Sequence, residues 1–137
     1  MNLFLFLNIF FNCLMIGISL ITQFVTYPSF SFIESNSFRN YHKKYSDLML
    51  FIAGPIMTLE LITVFFLIEN YGFNKVLYPF ILLILIWILT FLFIVPTHNK
   101  IASNFNTNSL NILIRFNAIR TVLWVIKIIF LALLFFI

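Results

Sequence analysis

The sequence has very little charge. Only 9% of its 137 residues are Asp, Glu, Lys or Arg, and 63% are hydrophobic, whereas about a quarter of the residues of a soluble domain are charged. Such a chain has too few polar side chains to cover the surface of a soluble fold. The composition therefore indicates a single integral membrane domain over residues 1–137.

The scarcity of cysteine and of several sequence motifs excludes further classes of function. Cys13 is the only cysteine, which excludes an internal disulfide, a CxxC redox pair and a c-type haem attachment site. The sequence also lacks a Walker loop, a Ser-His-Asp order and a desaturase-like histidine cluster. The net charge of +4 does not indicate nucleic-acid binding, because most of the cations flank apolar segments, where they suit anionic lipid headgroups.

Four apolar runs are long enough to cross a bilayer, which takes about 20 helical residues. We expect helices over approximately 3–26, 37–68, 76–95 and 110–137. The first run has no basic region before it and no small-x-small cleavage site, so we interpret it as a retained helix rather than a signal peptide. The pattern predicts an all-α fold, a four-transmembrane-helix bundle with up-down-up-down topology.

Local signals predict where these helices begin and end. Proline disfavours helical angles in the residue before it, so Tyr27-Pro28 should end the first helix and Pro96 should close the third. Gly72 indicates a tight turn between the second and third helices. The second helix should begin before its membrane span, with a choice of three N-cap residues: Ser35, Asn36 and Ser37.

The cations predict orientation. Five lie on the side that joins helices one to two and three to four, and only Lys75 marks the opposite loop. By the positive-inside rule the first side is cytoplasmic and both termini lie outside. The five are Arg39, Lys43, Lys44, Lys100 and Arg115.

Polar residues recur on one face of three of the helices. At about 100° per residue, the stripes comprise Asn8, Asn12, Ser19, Gln23 and Thr26 on the first helix, His42, Tyr45, Met49 and Glu60 on the second, and Asn117, Arg120, Thr121, Trp124 and Lys127 on the fourth. Polar groups are costly in lipid, so these stripes should converge inside the bundle. Glu60 and Lys127 both lie about 22 Å from the cytoplasmic ends of their helices, which predicts a buried ion pair.

A second polar group should lie nearer the cytoplasmic surface. The candidate ligand-binding residues are Gln23, Tyr27, His42, Tyr45, His98, Asn117 and Arg120. His42 and His98 together are also weak candidates for binding a metal or haem iron, because they lack a local spacing such as HxxxH. The plainer reading is that the histidines are ordinary residues of the membrane edge, that the asparagines join helices, and that the ion pair only fixes helix register.

Several segments resemble a family of small four-helix bacterial membrane proteins without a settled function. The segments are "QFVTYPSF", "FRNYHKKY", "GPIMTLE", "VPTHNKI" and "NAIRTVLW". The resemblance covers most of the chain, implies a bacterial cytoplasmic membrane, and implies that the polar residues act as one unit. Ala118 stands where that family has tryptophan, which weakens any role for an aromatic wall there.

Two classes of function follow as hypotheses. In the first, the bundle binds a lipophilic ligand or redox cofactor, such as a quinone, an isoprenoid or haem, and is an oxidoreductase or a related enzyme. In the second, it is a non-catalytic accessory or assembly subunit. A transporter or channel would require oligomerisation. The bilayer is the expected partner, and a homo-oligomer or a larger membrane complex stays open.

Overall fold

The computed structural model describes residues 2–136, which form four long helices and no β-strand. They are α1 (Leu3–Phe32), α2 (Ser35–Tyr71), α3 (Phe73–Ser103) and α4 (Thr107–Phe136), and each is long and apolar enough to cross a membrane. Thirty helical residues extend about 45 Å, against about 30 Å for the hydrocarbon core of a bilayer. The prediction of a four-transmembrane-helix bundle is confirmed.

Short connections give the up-down-up-down order. Residues 33–34 join α1 to α2, and residues 104–106 join α3 to α4. Gly72 alone separates α2 from α3, with φ 86° and ψ 148°. Consecutive helices pack against each other and α4 packs against α1, so α1 lies diagonal to α3, and α2 lies diagonal to α4. We name the end that contains Gly72, the start of α1 and the end of α4 the turn end, and the opposite end the histidine end.

The two helix ends predicted from proline were wrong. The first helix continues through Pro28 to Phe32, and the third continues through Pro96 to Ser103. In both, a π-helical turn comes just before the X-Pro pair, over Thr22–Thr26 and Thr90–Ile94. In α-geometry a proline ring clashes with the carbonyl four residues earlier, and the wider turn relieves that clash.

The start of α2 also differs from the expectation. Glu34 is the N-cap residue and makes no capping hydrogen bond through its side chain. Ser35, Asn36 and Ser37 therefore lie inside the first helical turn instead of capping it. The predicted turn at Gly72 is present: its positive φ is a backbone conformation that side chains other than glycine rarely adopt.

The interior alternates between apolar and polar layers. Apolar clusters lie near the turn end (around Leu67 and Leu83), in the middle (around Met57 and Trp124) and at the histidine end (around Leu113). The outer faces are covered by exposed apolar side chains, including Phe24, Phe51 and Leu92. These faces match a lipid environment, and the polar side chains between the apolar clusters are the ones that need explanation.

Candidate functional site

The first polar layer is a closed ionic network. Lys127 Nζ donates to Glu60 Oε1 at 2.6 Å, to Asn8 Oδ1 at 3.0 Å and to Asn12 Oδ1 at 3.2 Å. Trp124 Nε1 donates to the second carboxylate oxygen of Glu60 at 3.2 Å. All five side chains belong to fully buried residues. Since an ammonium group has three protons to donate, Lys127 is fully satisfied.

This network has the character of a structural element. The ion pair spans the diagonal between α2 and α4, and the asparagines add α1. Asn8 Nδ2 donates to the backbone oxygen of Glu60 at 2.8 Å, and Asn12 Nδ2 donates to that of Trp124 at 3.1 Å. Glu60 and Lys127, which were predicted to form a buried ion pair, lie together in the structure. No hydrogen-bonding capacity of the lysine is left for a ligand.

A second polar layer is centred on Asn117. Its Nδ2 donates to the backbone oxygen of Ser19 at 3.1 Å and to Gln23 Oε1 at 2.8 Å. Its Oδ1 accepts from Ser19 Oγ at 3.2 Å and from Arg120 Nη2 at 2.8 Å. Asn117 thereby holds α1 against α4 and fixes one nitrogen of the arginine.

Arg120 is a cation without a counter-ion inside the bundle. Its Nη1 donates to Thr90 Oγ1 at 3.2 Å, and its guanidinium lies 5.2 Å from the centroid of the Trp124 ring. Its Nε has no hydrogen-bond partner. Within residues 2–136, the salt bridges are Lys43 with Asp47 and Lys127 with Glu60, so no described carboxylate neutralises Arg120. A charge held within a membrane without a partner is costly and is typical of a functional site.

The histidine end contains a hydrogen-bonded chain of three side chains from three helices. Tyr27 Oη lies 3.0 Å from His98 Nε2, and His98 Nδ1 lies 2.8 Å from His42 Nε2. Phe30 and Phe38 pack against the ring of His42. The aromatic packing holds the chain in one geometry and limits access of water to it.

The two histidines suit a metal poorly in this arrangement. Their facing nitrogens hydrogen-bond each other, whereas a shared metal ion would need both lone pairs directed at itself. Residues 2–136 contain no group of three or more His, Cys, Asp or Glu side chains that could hold a metal ion. The structure therefore brings His42 and His98 together as a hydrogen-bonded pair.

A cavity of about 520 Å³ adjoins both the arginine and the histidine chain. Much of its wall is apolar, with Met15, Met57, Phe91 and Ile94 among the lining residues. Its polar lining residues come from all four helices and are Thr22, Tyr27, Tyr45, Ser46, Thr58, Thr90, His98, Asn99 and Arg120. This combination of a broad apolar wall with a few polar groups is typical of a binding site for an organic molecule.

The mouth of the cavity faces the side of the bundle. Leu50 on α2 and Phe91 and Val95 on α3 line the cavity and are also exposed on the outer surface. These residues lie within membrane-spanning helices and are apolar. The gap between α2 and α3 therefore opens toward lipid.

Unpartnered polar atoms concentrate at this cavity. In the part of the chain that the structure describes, the buried side-chain nitrogens and oxygens without a hydrogen-bond partner are Ser46 Oγ, Trp87 Nε1 and Arg120 Nε. All three residues line the cavity. The two nitrogens can only donate, and the hydroxyl can donate or accept. Buried polar groups are normally paired, so the two nitrogens at this cavity each lack an acceptor.

The structure groups the predicted ligand-binding residues around this cavity. Tyr27, Tyr45, His98 and Arg120 line it. The other three are one hydrogen bond away from a lining residue or its partner: His42 bonds to His98, Asn117 to Arg120, and Gln23 to Asn117.

Ser46 was not among the predicted site residues, and neither were Thr22, Thr90 and Trp87, which also line the cavity. A repeated spacing could have identified the two threonines. Each lies six residues before a proline, Pro28 or Pro96, and begins a π-helical turn, and such turns are frequent at functional sites.

Comparison of the chain with models of known protein families, with curated proteins and with solved structures found no match. The chemistry of the cavity is therefore the basis for inferring the function.

Proposed function

We propose that this protein takes a lipophilic molecule with an oxygen-bearing head from the bilayer into the cavity between its helices. The observation that carries the proposal is that the three unpartnered buried polar atoms all belong to residues lining one largely apolar cavity. The head lies toward Arg120, Tyr27 and His98, and the apolar tail extends through the mouth between α2 and α3.

The chemistry of the unpartnered groups defines the head. Arg120 and Trp87 offer N–H donors, and Arg120 adds an uncompensated positive charge. A carbonyl oxygen, a phenolate, a carboxylate or a phosphate would satisfy them, and an amine would not. Quinones and isoprenoids with an oxygenated head meet this requirement.

The size of the cavity agrees with such a ligand. Sites for small organic molecules occupy about 300–1,000 Å³, and this one measures about 520 Å³. That volume suits a ring-sized head with the first part of a tail, and the rest of the tail can lie among lipid chains. A haem fits less well, because both ring nitrogens of His98 are already hydrogen-bonded and His42 does not line the cavity.

The charge distribution supports an orientation in a bacterial cytoplasmic membrane. Arg39, Lys43 and Lys44 on α2 and Lys100 on α3 are exposed at the histidine end. Lys75 is exposed at the turn end. With the histidine end in the cytoplasm, the site lies in the inner half of the bilayer and both termini lie outside.

Mass spectrometry of the protein purified from native membranes tests the proposal. We expect the wild type to retain a lipophilic molecule with an oxygenated head, and Arg120→Gln to lose it. Arg115→Gln is the matched control, because Arg115 is an exposed cation on the same helix, and this variant should retain the molecule.

Two outcomes would contradict the proposal. One is retention of the same molecule by Arg120→Gln and the wild type to equal extent. The other is stable association of both proteins with a larger membrane complex, without a bound small molecule, which would favour an accessory subunit.

A further inference from the structure

Three hydrogen-bonded side chains lead from the cavity toward the histidine end. Tyr27 and His98 line the cavity, whereas His42 lies on the far side of His98 and does not line it. His42 is in the second turn of α2, about 10 Å along the helix from Ser35. Its neighbours Lys43 and Lys44 are exposed. The chain therefore begins at the cavity and ends at His42, a buried side chain next to these exposed lysines.

Both ring nitrogens of His98 are engaged, which gives the chain two equivalent proton arrangements. In the first, Tyr27 donates its hydroxyl proton to His98 Nε2, and His98 Nδ1–H donates to His42 Nε2. In the second, every donor and acceptor is reversed. A neutral imidazole has one donor and one acceptor nitrogen, so His98 can accept a proton at one nitrogen and release one from the other.

We propose that Tyr27, His98 and His42 carry a proton between the ligand and water at the histidine end, and that the ligand is a phenol or hydroquinone whose anion pairs with Arg120. This inference rests on the proposed function and names its substrate class. Arg120 lines the same cavity as Tyr27 and lacks a described counter-ion. A phenolate oxygen would supply both the negative charge and the acceptor that the arginine lacks.

The proton transfer balances without another reactant. The O–H bond of the ligand breaks, and its proton binds the Tyr27 oxygen while the tyrosine proton moves to His98 Nε2. The Nδ1 proton of His98 moves to His42 Nε2, and the Nδ1 proton of His42 leaves to water. The three side chains end neutral, and the negative charge stays on the ligand oxygen beside Arg120. The reverse sequence protonates the anion.

The residues around His98 favour transfer of the proton through the chain over a permanent positive charge on His98. Tyr27 faces it from α1, His42 and Tyr45 face it from α2, and Arg120 from α4 lines the same cavity. Among the described residues, no carboxylate is within salt-bridge distance of either histidine. No described residue around His98 would hold it as an imidazolium, so a transferred proton passes on.

A coloured probe tests the proposal in the intact protein. Para-nitrophenol with a long alkyl chain is lipophilic, and its phenolate absorbs visible light whereas its phenol form does not. The protein in lipid nanodiscs is loaded with this probe at low pH, the pH is raised rapidly, and the rate of phenolate formation is recorded. We expect Tyr27→Phe to slow proton release from the bound probe about a hundredfold, which is the scale of the rate change that a positioned proton-transfer group produces.

Tyr41→Phe is the matched control. Tyr41 is exposed on α2 at the histidine end, does not line the cavity and, among the described residues, is in no hydrogen bond of the chain. This variant should release the proton at the wild-type rate, and His98→Phe should be as slow as Tyr27→Phe. Arg120→Gln should instead raise the pH at which half of the bound probe is phenolate.

The possible results separate the two proposals. Equal rates for Tyr27→Phe, Tyr41→Phe and the wild type, with the probe bound, would overturn the proton path and leave the binding site intact. Failure of the wild-type protein to bind the probe above empty nanodiscs would overturn the proton path and the proposed function together. Circular dichroism of each variant verifies that the helices remain formed.

Discussion

Lys127 Nζ and Glu60 Oε1 lie 2.6 Å apart on diagonal helices, and neither side chain is exposed. The contact crosses the centre of the bundle, between the diagonal helices α2 and α4. The pair therefore joins these two helices alongside the apolar packing around Met57 and Trp124. Its cost in lipid is met by the amides of Asn8 and Asn12 and by the indole of Trp124.

Breaking this pair should destabilise the bundle more than removing both partners. Glu60→Gln or Lys127→Met alone leaves a buried charge without its partner, which typically costs about 3–5 kcal/mol. The double variant should lose much less stability than the sum of the losses in the two single variants, since only neutral groups then lack partners. The free energy of unfolding in mixed detergent micelles, arranged as a double-mutant cycle, measures the difference.

The exposed pair of Lys43 and Asp47 is the control for that cycle. Their atoms lie 3.0 Å apart, but both side chains are largely exposed. Lys43→Met should change the free energy of unfolding by less than about 1 kcal/mol. Strictly additive losses at Glu60 and Lys127 would contradict the coupling that the structure shows.

Two glycines should respond to alanine in opposite ways. Gly72 has φ 86°, and an added Cβ would meet nothing within 4 Å, so Gly72→Ala adds only backbone strain, which costs about 1–3 kcal/mol. Gly17 lies inside a helix with equally open space, so Gly17→Ala should be neutral or stabilising by up to about 1 kcal/mol. Thermal unfolding in detergent compares the stability of the two variants. Equal losses of stability would indicate that a side chain at position 72 adds no backbone strain.

Orientation can be tested by cysteine labelling. Cys13 is the only native cysteine and is exposed on α1, so Cys13→Ser provides the background. With the histidine end in the cytoplasm, a membrane-impermeant maleimide added outside intact cells should label Lys75→Cys and not Lys100→Cys. Labelling of Lys100→Cys from outside would reverse the proposed topology.

We expect the π-helical turn before Pro28 to be required for stability only because residue 28 is a proline. Deleting Val25, an exposed residue of the turn, forces the segment toward α-geometry and restores the proline clash, which costs about 3 kcal/mol. Combining the deletion with Pro28→Ala should recover most of that stability, measured by thermal unfolding.

Deletion of Phe10 is the comparison for this experiment. Phe10 is exposed within regular α-helix, and its loss should rotate Asn8 away from Lys127 by about 100°. Pro28→Ala should not rescue that deletion. A rescue of both deletions, or of neither, would contradict the role assigned to the turn.

The sequence predicted the helices and their inner faces because both follow from simple periodicity. Apolar runs gave α1 to α4, and a rotation of about 100° per residue placed Glu60 and Lys127 on facing stripes. The continuation of α1 and α3 through proline could not be predicted in this way, because it depends on a local change in helix width. Ser46 was missed because a single serine near a helix end carries no periodic signal, and its place in the cavity depends on how α2 packs against α3.

The lateral mouth between α2 and α3 determines the units in which the affinity of this protein for a ligand should be expressed. A ligand that enters from lipid encounters the site in two dimensions, at a concentration set by its mole fraction in the bilayer and not by the amount in water. Adding lipid at constant total ligand would dilute the ligand and lower the occupancy, although the protein itself is unchanged. Titrations at two or more ratios of lipid to protein would therefore give different dissociation constants in molar units and a single one in mole fraction.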